Sequence, residues 1–306
     1  MGDGEYGARS YPSTQHDRLR SMPEPAPAAS APDAPLAGVR VVTTAVNLPG
    51  PVAAARLRDL GAEVTKVEPP AGDPLRAVSD QAYTELTHGQ TVVRLDLRSE
   101  EGHSALADHL DRADLLLTSS RPASLSRLGL DWSTLHQRYP RLCQVAVVGA
   151  AGAEADRAGH DLTYQAAAGT LTPPHLPVVL AADLAGAERA VSEALALLLA
   201  RAATGSGGYR EVALQVSCAD LARPRRWGLT APGGLLGGAL PAYRLYAAAD
   251  GWVALAALEP HFLARTLSRL GVGESVAELE AVFATRSAGE WEAFGVAHDI
   301  PLAAVH

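Results

Sequence analysis

Aromatic residues, cysteines and methionines are scarce in this chain. Of its 306 residues only 5% are aromatic, and there are 2 cysteines and 2 methionines. Cys143 and Cys218 are too few for a disulfide framework and fit a reducing, cytoplasmic location. Neither lies in a CxxC or cysteine–histidine cluster, so we predict no metal site. The scarcity of aromatic residues favours helices that cover a sheet over an all-β sandwich.

An excess of positive charge and long apolar runs are also missing. The formal net charge is −8, so the overall field does not attract nucleic acid. No segment approaches the roughly 18 apolar residues that a membrane span requires, and we therefore predict no membrane partner. Residues 1–35 are rich in Pro, Ala and Ser and lack the apolar core of a signal peptide. We predict that these residues form a disordered tail.

What is present is an alternation of strand and helix patterns. Residues 39–44 read as a strand, 53–60 as a helix and 62–68 as a second strand, which together make a right-handed βαβ unit. Further alternation ends in an apolar helix at 192–203, expected to be buried all round, and a strand at 209–217. The predicted fold class is α/β, with a Rossmann-like open sheet over residues 36–222.

A second, smaller domain is predicted after a linker rich in Gly and Arg. Residues 243–246 and 252–257 have strand character on either side of Asp250-Gly251, which indicates a hairpin. Residues 260–270 and 288–297 read as helices. Residues 223–306 are therefore predicted to form the linker and a small α+β domain.

Two polar sites stand out against this apolar background. His160 lies beside Asp161 after a turn glycine, and Asp183 lies among alanines where few other side chains could carry chemistry. An imidazole and carboxylates together suit acid/base catalysis. The competing interpretation is that Asp161 only caps the helix predicted at 162–169.

A third candidate site follows the first strand, at Asn47-Leu48-Pro49-Gly50-Pro51. Open α/β sheets bind ligands at the carboxyl ends of their strands, and a helix start offers free N–H groups to an anion. The turn lacks GxGxxG, so a dinucleotide site is not supported. Arg121 and Arg127 follow a later strand and suit phosphate binding, although exposed arginines are often only solvated.

Several stretches of the sequence together form a family pattern, namely 36–42, 59–76, 95–102, 121–122, 127–130 and 201–208. Taken in order, they resemble family III CoA-transferases, the CaiB/BaiF superfamily. Within it, GHDLTY at 159–164 is similar to the GHDINY string of α-methylacyl-CoA racemases, and ALEPHF at 257–262 is similar to their AIEPQF. Asp183 matches the carboxylate that forms an acyl anhydride in transferases and is an acid/base in racemases.

The resemblance implies an isomerase that inverts the α-carbon of an acyl thioester, with His160 and Asp183 on opposite faces of that carbon. Asp161 or Glu259 would orient His160, and the helix starts would face the enolate oxygen. No separate cofactor is required, since coenzyme A is part of the substrate. The family also implies a homodimer of interlocked subunits. A CoA-transferase that uses Asp183 as nucleophile is the alternative.

One family string is replaced in this chain. Relatives carry a basic Asn-Arg-Gly-Lys-Arg-Ser stretch that helps to hold the CoA phosphates, whereas residues 86–91 read LTHGQT. The predicted cofactor-binding residues are therefore Arg76, Arg121 and Arg127, together with Asn47, Pro49 and Gly50. The same replacement raises a further alternative, a remodelled protein that acts on a carrier-protein thioester or on a ligand other than CoA.

Overall fold

The computed structural model describes residues 34–306, so the predicted tail lies almost wholly outside the described residues. The strands are β1 Arg40–Thr43, β2 Glu63–Glu68, β3 Thr91–Arg94, β4 Leu115–Thr118, β5 Cys143–Val148, β6 Tyr209–Ala213, β7 Tyr243–Ala247, β8 Trp252–Ala256 and β9 Leu302–Val305. The helices are α1 Pro49–Asp59, α2 Leu75–Val78, α3 Asp80–Thr87, α4 Glu100–Leu110, α5 Pro122–Arg127, α6 Trp132–Arg138, α7 Asp161–Ala168, α8 Ala181–Thr204, α9 Leu214–Leu221, α10 Arg223–Arg226, α11 Pro260–Leu270, α12 Val276–Phe283 and α13 Ala288–His298.

The main sheet has six strands in the order β3-β2-β1-β4-β5-β6. β1 pairs in parallel with β2 and β4, and β2 pairs in parallel with β3. This is the order of a doubly wound sheet, in which the direction of winding reverses between β1 and β4. The predicted α/β fold class is confirmed.

Contacts divide the chain into two compact units. Of the described residues, the first comprises 34–119 with Ser126–Val145 and Val191–Arg210, and the second comprises Ser120–Leu125, Ala146–Ala190 and Glu211–His306. These units are discontinuous in sequence, whereas the division at residues 222 and 223 stays a prediction.

The core of the first unit forms where α1 covers the sheet. Val41 and Val42 of β1 and the whole of β4 are buried. α1 contacts β1, β2 and β4 through small side chains such as Ala53 and Ala54, which are almost fully buried. Alanines allow the helix to approach the sheet closely, at little cost in side-chain entropy.

The second unit contains an antiparallel sheet with the order β7-β8-β9. The predicted hairpin is confirmed by the pairing of β7 with β8, while β9 was not predicted. Tyr246, Phe283 and Trp291 are almost fully buried in its core, and the Phe283 and Trp291 rings meet edge to face at 5.2 Å. Trp291 also donates to the Phe283 carbonyl at 2.8 Å, so its indole N–H is satisfied.

Two predictions about single elements are wrong. The strand predicted at 209–217 ends at Ala213, and the chain continues as α9 from Leu214. The apolar helix predicted at 192–203 begins at Ala181, so Asp183 lies in its first turn. In the described chain this helix is not buried all round, since Leu199 is 73% exposed.

Candidate active site

His160 is held at the start of α7 by its own backbone. It has an extended conformation (φ −141°, ψ 167°), and its N–H donates to Thr163 Oγ1 at 3.1 Å. Thr163 Oγ1 in turn donates to the His160 carbonyl at 2.7 Å. The residue is exposed. α7 itself is followed by Gly169 in the left-handed conformation, which ends the helix close to the predicted position. These bonds fix the position at which the imidazole leaves the backbone.

Asp161, the next residue, connects the starts of two helices. Its carboxylate accepts from the backbone N–H of Ala182 at 2.7 Å and of Asp183 at 3.2 Å. The other oxygen accepts from Gln165 Nε2 at 2.6 Å. Asp161 is 4% exposed, and it therefore supplies the N-terminal cap of α8 from within α7.

These contacts of Asp161 differ from those that the sequence indicated, while its catalytic role stays a prediction. The sequence indicated either a group that orients His160 or a cap on α7 itself. In the structure its carboxylate oxygens accept from the first turn of α8 and from Gln165. The result is that the starts of α7 and α8 lie together, which brings His160 and Asp183 to one region of the second unit.

Asp183 is half-buried in the first turn of α8. Burial and, to a smaller extent, the negative charge of Asp161 raise the pKa of its carboxyl, the nearby His160 partly opposes both effects, and the resulting pKa is about 6. A carboxyl with a pKa near the operating pH is suited to both accept and return a proton. The predicted pair His160 and Asp183 therefore interacts electrostatically.

Tyr164 belongs to the same cluster and was not among the predicted site residues. It is 8% exposed, and burial raises the pKa of its phenol, with a smaller contribution from Asp183 and an opposing one from Arg121. The signal for it was its position in the sequence, because Tyr164 follows His160 by four residues and lies in the first turn of the helix that begins at Asp161. Arg121, one of the predicted ligand-binding residues, is thus close enough to Tyr164 for its charge to affect the phenol.

Gln165 is a second buried residue that the sequence reading missed. Its amide donates to Asp161 and, at 2.9 Å, to the Val179 carbonyl, and its own oxygen accepts from Thr170 Oγ1 at 3.2 Å. These bonds fix the side chain that holds Asp161. Its signal was again a spacing of four residues from Asp161.

Glu259 does not join this cluster through a hydrogen bond or ion pair to any residue between 34 and 306. It is exposed at the start of α11, where its carbonyl accepts from Leu263 N at 3.0 Å. Pro260 follows as the first residue of the helix. The structure thus places Glu259 as a helix start, and its orientation of His160 stays a prediction.

The predicted ligand turn in the first unit is rigid. Asn47 has a left-handed conformation (φ 68°), and its N–H donates to Asp73 Oδ1 at 2.9 Å. Asp73 forms a buried ion pair with Lys66 at 2.8 Å, and Lys66 also donates to the Ala45 carbonyl. Gly50 is buried, and a Cβ atom there would lie 2.2 Å from the Ala45 Cβ. The turn is therefore fixed by charge and by close packing.

The start of α1 nevertheless offers few donors for an anion. Pro49 and Pro51 occupy its first turn and carry no N–H group, and the Val52 N–H donates to Leu48 O. The Gly50 N–H is the donor that remains in that turn. The prediction that Asn47, Pro49 and Gly50 bind the cofactor stays a prediction.

The comparison with known proteins gives the family. The sequence pattern described as CoA-transferase family III matches residues 36–306. The chain belongs to CoA-transferase family III. A cinnamoyl-CoA:phenyllactate CoA-transferase from Clostridium sporogenes is 34% identical over 202 residues, covering 59% of this chain and 49% of that protein. An α-methylacyl-CoA racemase from Mus musculus is 31% identical over 274 residues, covering 84% of this chain and 68% of that protein.

A solved structure shows the same fold. The crystal structure of a hypothetical protein from Mycobacterium tuberculosis superposes with a TM-score of 0.79 at 26% identity, covering 89% of this chain and 83% of that one. The chain spans about half the length of the Clostridium transferase and about two thirds of the mouse racemase. The family therefore includes both kinds of relative, racemases and transferases.

Residues 86–91, where the resemblance led us to expect a basic string, lie beside Arg58 of α1. Arg58 donates to the carbonyls of Leu86, at 3.4 Å, and of His88, and also pairs with Asp59 at 2.7 Å. Arg76 pairs with Asp80 at 3.0 Å. The phosphate-binding roles of Arg76, Arg121 and Arg127 stay predictions.

Neither unit offers an evident metal centre. Among residues 34–306 no group of three or more His, Cys, Asp and Glu side chains could hold a metal ion. In the same part of the chain no helix has the length and apolar character needed to cross a bilayer.

Proposed function

We propose that this chain is an α-methylacyl-CoA racemase-like isomerase that inverts the α-carbon of an acyl thioester. The observation that carries the proposal is the pKa of Asp183, which is raised to about 6 in a carboxyl that lies close enough to His160 to interact with it electrostatically. The 31% identity to the mouse racemase over 84% of this chain supports the same activity. The proposal requires no separate cofactor, and coenzyme A enters as part of the substrate.

The chemistry follows from the weak acidity of a proton α to a thioester carbonyl. One group removes the proton as the carbonyl becomes an enolate, and a second group returns a proton to the opposite face. At pH 7 a carboxyl with a pKa of about 6 is ionised in roughly nine of ten molecules, yet it accepts a proton at little cost. Asp183 therefore serves one face and His160 the other, and their roles exchange between the two enantiomers.

Deuterium incorporation tests this proposal directly. Wild-type protein in D2O should introduce deuterium at the α-carbon of 2-methyldecanoyl-CoA, and Asp183→Ala should lose the exchange. Asp108→Asn, at an exposed carboxyl on α4, is the matched control and should exchange normally. Exchange that survives in Asp183→Ala removes Asp183 from the mechanism.

A CoA-transferase is the second candidate, because the Clostridium sporogenes transferase is 34% identical over 59% of this chain. Here the ionised Asp183 attacks the thioester carbonyl, forms an acyl anhydride and releases the CoA thiolate. Hydroxylamine would trap the acylated Asp183, and transfer of CoA to a free acid would accompany it. Proton exchange without either result favours the isomerase.

A remodelled protein without CoA recognition is the third candidate. The observation in its favour is residues 86–91, which carry neither Lys nor Arg and whose carbonyls accept from Arg58. Titration of the wild type with CoA separates this candidate from the others. Micromolar affinity argues against it, whereas no binding favours a carrier-protein thioester or a ligand other than CoA.

The proposal includes a cytoplasmic homodimer. Exposed apolar side chains precede α8, namely Leu176, Val178 and Val179, which are 75%, 101% and 56% exposed. Such a segment is typical of a surface that another subunit covers. Light scattering should give twice the mass of one chain.

A further inference from the structure

Tyr164 differs from two other buried tyrosines of the chain in how its hydroxyl is used. Tyr83 donates to Glu68 Oε1 at 2.9 Å, and Tyr246 donates to the Pro241 carbonyl at 2.7 Å. Within residues 34–306 the hydroxyl of Tyr164 donates no such bond, and its oxygen is not among the fully buried polar atoms that lack a partner, although the residue as a whole is 8% exposed. The oxygen at the end of this largely buried side chain is therefore accessible, and the hydroxyl is available to donate to a ligand.

Two glycines make room for this hydroxyl. A Cβ atom at Gly149 would lie 2.2 Å from the Tyr164 oxygen, and one at Gly159 would lie 2.4 Å from it. Neither glycine has a positive φ, so the backbone itself would tolerate a side chain at both positions. Glycine at these two positions therefore leaves the space that the Tyr164 phenol occupies. Gly159 immediately precedes His160, which places the hydroxyl beside the proposed acid/base pair.

Burial, with a smaller contribution from Asp183, keeps the phenol protonated and therefore a donor. Burial and the charge of Asp183 raise the pKa of Tyr164, which outweighs the opposing effect of Arg121. The group therefore remains protonated at neutral pH and can donate to an oxygen that gains negative charge.

We propose that the Tyr164 hydroxyl donates a hydrogen bond to the thioester carbonyl oxygen of the substrate and holds the charge that develops there as the α-proton leaves. This inference rests on the proposed function, since it requires an acyl thioester beside His160 and Asp183. It adds a catalytic residue that contacts the reacting group without itself transferring the α-proton.

Tyr164→Phe removes only the hydroxyl and is the first test. Deuterium exchange into 2-methyldecanoyl-CoA should slow about 10- to 100-fold, with KM changed less than about 3-fold, because the bond strengthens as the enolate forms. Gly149→Ala, which pushes the phenol away, should slow exchange in the same direction. Tyr246→Phe is the matched control and should leave exchange unchanged, since its hydroxyl donates to Pro241 O.

A binding experiment separates this role from a merely structural one. The probes are an S-(2-oxoalkyl)-CoA, which has a carbonyl oxygen, and the S-alkyl-CoA of equal length, which has none. Tyr164→Phe should weaken the first about 5- to 10-fold and leave the second unchanged. If Tyr164→Phe binds both probes equally more weakly, or binds neither of them more weakly, the inference is overturned. Deuterium exchange by the wild type would in that case still support the proposed function. A wild type that exchanges no proton and binds neither probe overturns the proposed function, and this inference with it.

Discussion

Asp183→Asn should stabilise the folded protein at pH 8 while it removes the proposed activity. In the folded chain the pKa of Asp183 is raised from 3.8 to about 6, chiefly by burial. The folded state thus binds a proton at this carboxyl more tightly than the unfolded state does. A raised carboxyl pKa costs stability above the folded value, and the cost disappears as pH falls below the unfolded value.

The size of the effect follows from the shift. A change of about 2 pKa units corresponds to about 3 kcal/mol at 1.36 kcal/mol per unit. Asp183 is only half-buried, so solvent screening reduces the expected gain to about 1–2 kcal/mol at pH 8. Because the folded carboxyl is largely protonated at pH 5, the gain there should be about half as large.

Urea unfolding at pH 8 and pH 5 measures the difference at constant protein concentration. Asp108→Asn, at an exposed position of α4, should show no comparable dependence on pH. A gain for Asp183→Asn that is equal at the two pH values, or a loss of stability at pH 8, would refute the reasoning. The expected result would show that folding does not need this carboxylate, which leaves function as the reason for its presence.

Two further substitutions test the contacts that fix the two candidate sites. Asp161→Asn should lower the free energy of unfolding by about 1–2 kcal/mol in urea, because the cap of α8 is weakened. It should also lower the pKa of Asp183 and move the acid limb of the pH–rate profile for proton exchange to lower pH. Asp73→Asn leaves Lys66 buried without its charged partner and should cost about 3–5 kcal/mol in the same assay. Glu63→Gln, in an exposed ion pair, should cost at most about 1 kcal/mol.

Elements with local signals were predicted well. α7 was predicted at 162–169 and spans Asp161–Ala168, and it is followed by Gly169 in the left-handed conformation. α11 has the predicted bounds, from Pro260 to the residue before Gly271. Proline and glycine act at these ends through their own backbone preferences, so the sequence alone contains the information.

α9 could not be predicted because its helical state depends on distant contacts. Residues 209–217 have the composition of a strand, yet the chain turns into a helix at Leu214. α9 packs along α7, and the Gln215 N–H donates to the Gly149 carbonyl at 3.0 Å. Both partners lie more than forty residues earlier in the chain. Short apolar segments are ambiguous between strand and helix until such contacts are known.

The start of α8 explains why the hydrogen bonds of Asp161 could not be predicted from the sequence. Its cap is Asp161, twenty residues before the helix begins at Ala181, so no capping residue beside that start marked it. The start of a helix alone would lower the pKa of Asp183, by the equivalent of about 0.3–1 kcal/mol. Burial and the charge of Asp161 act in the opposite direction and are larger, since the pKa rises to about 6. The carboxylate that caps the helix therefore adds to the larger effect of burial, and together they keep Asp183 able to accept a proton near neutral pH.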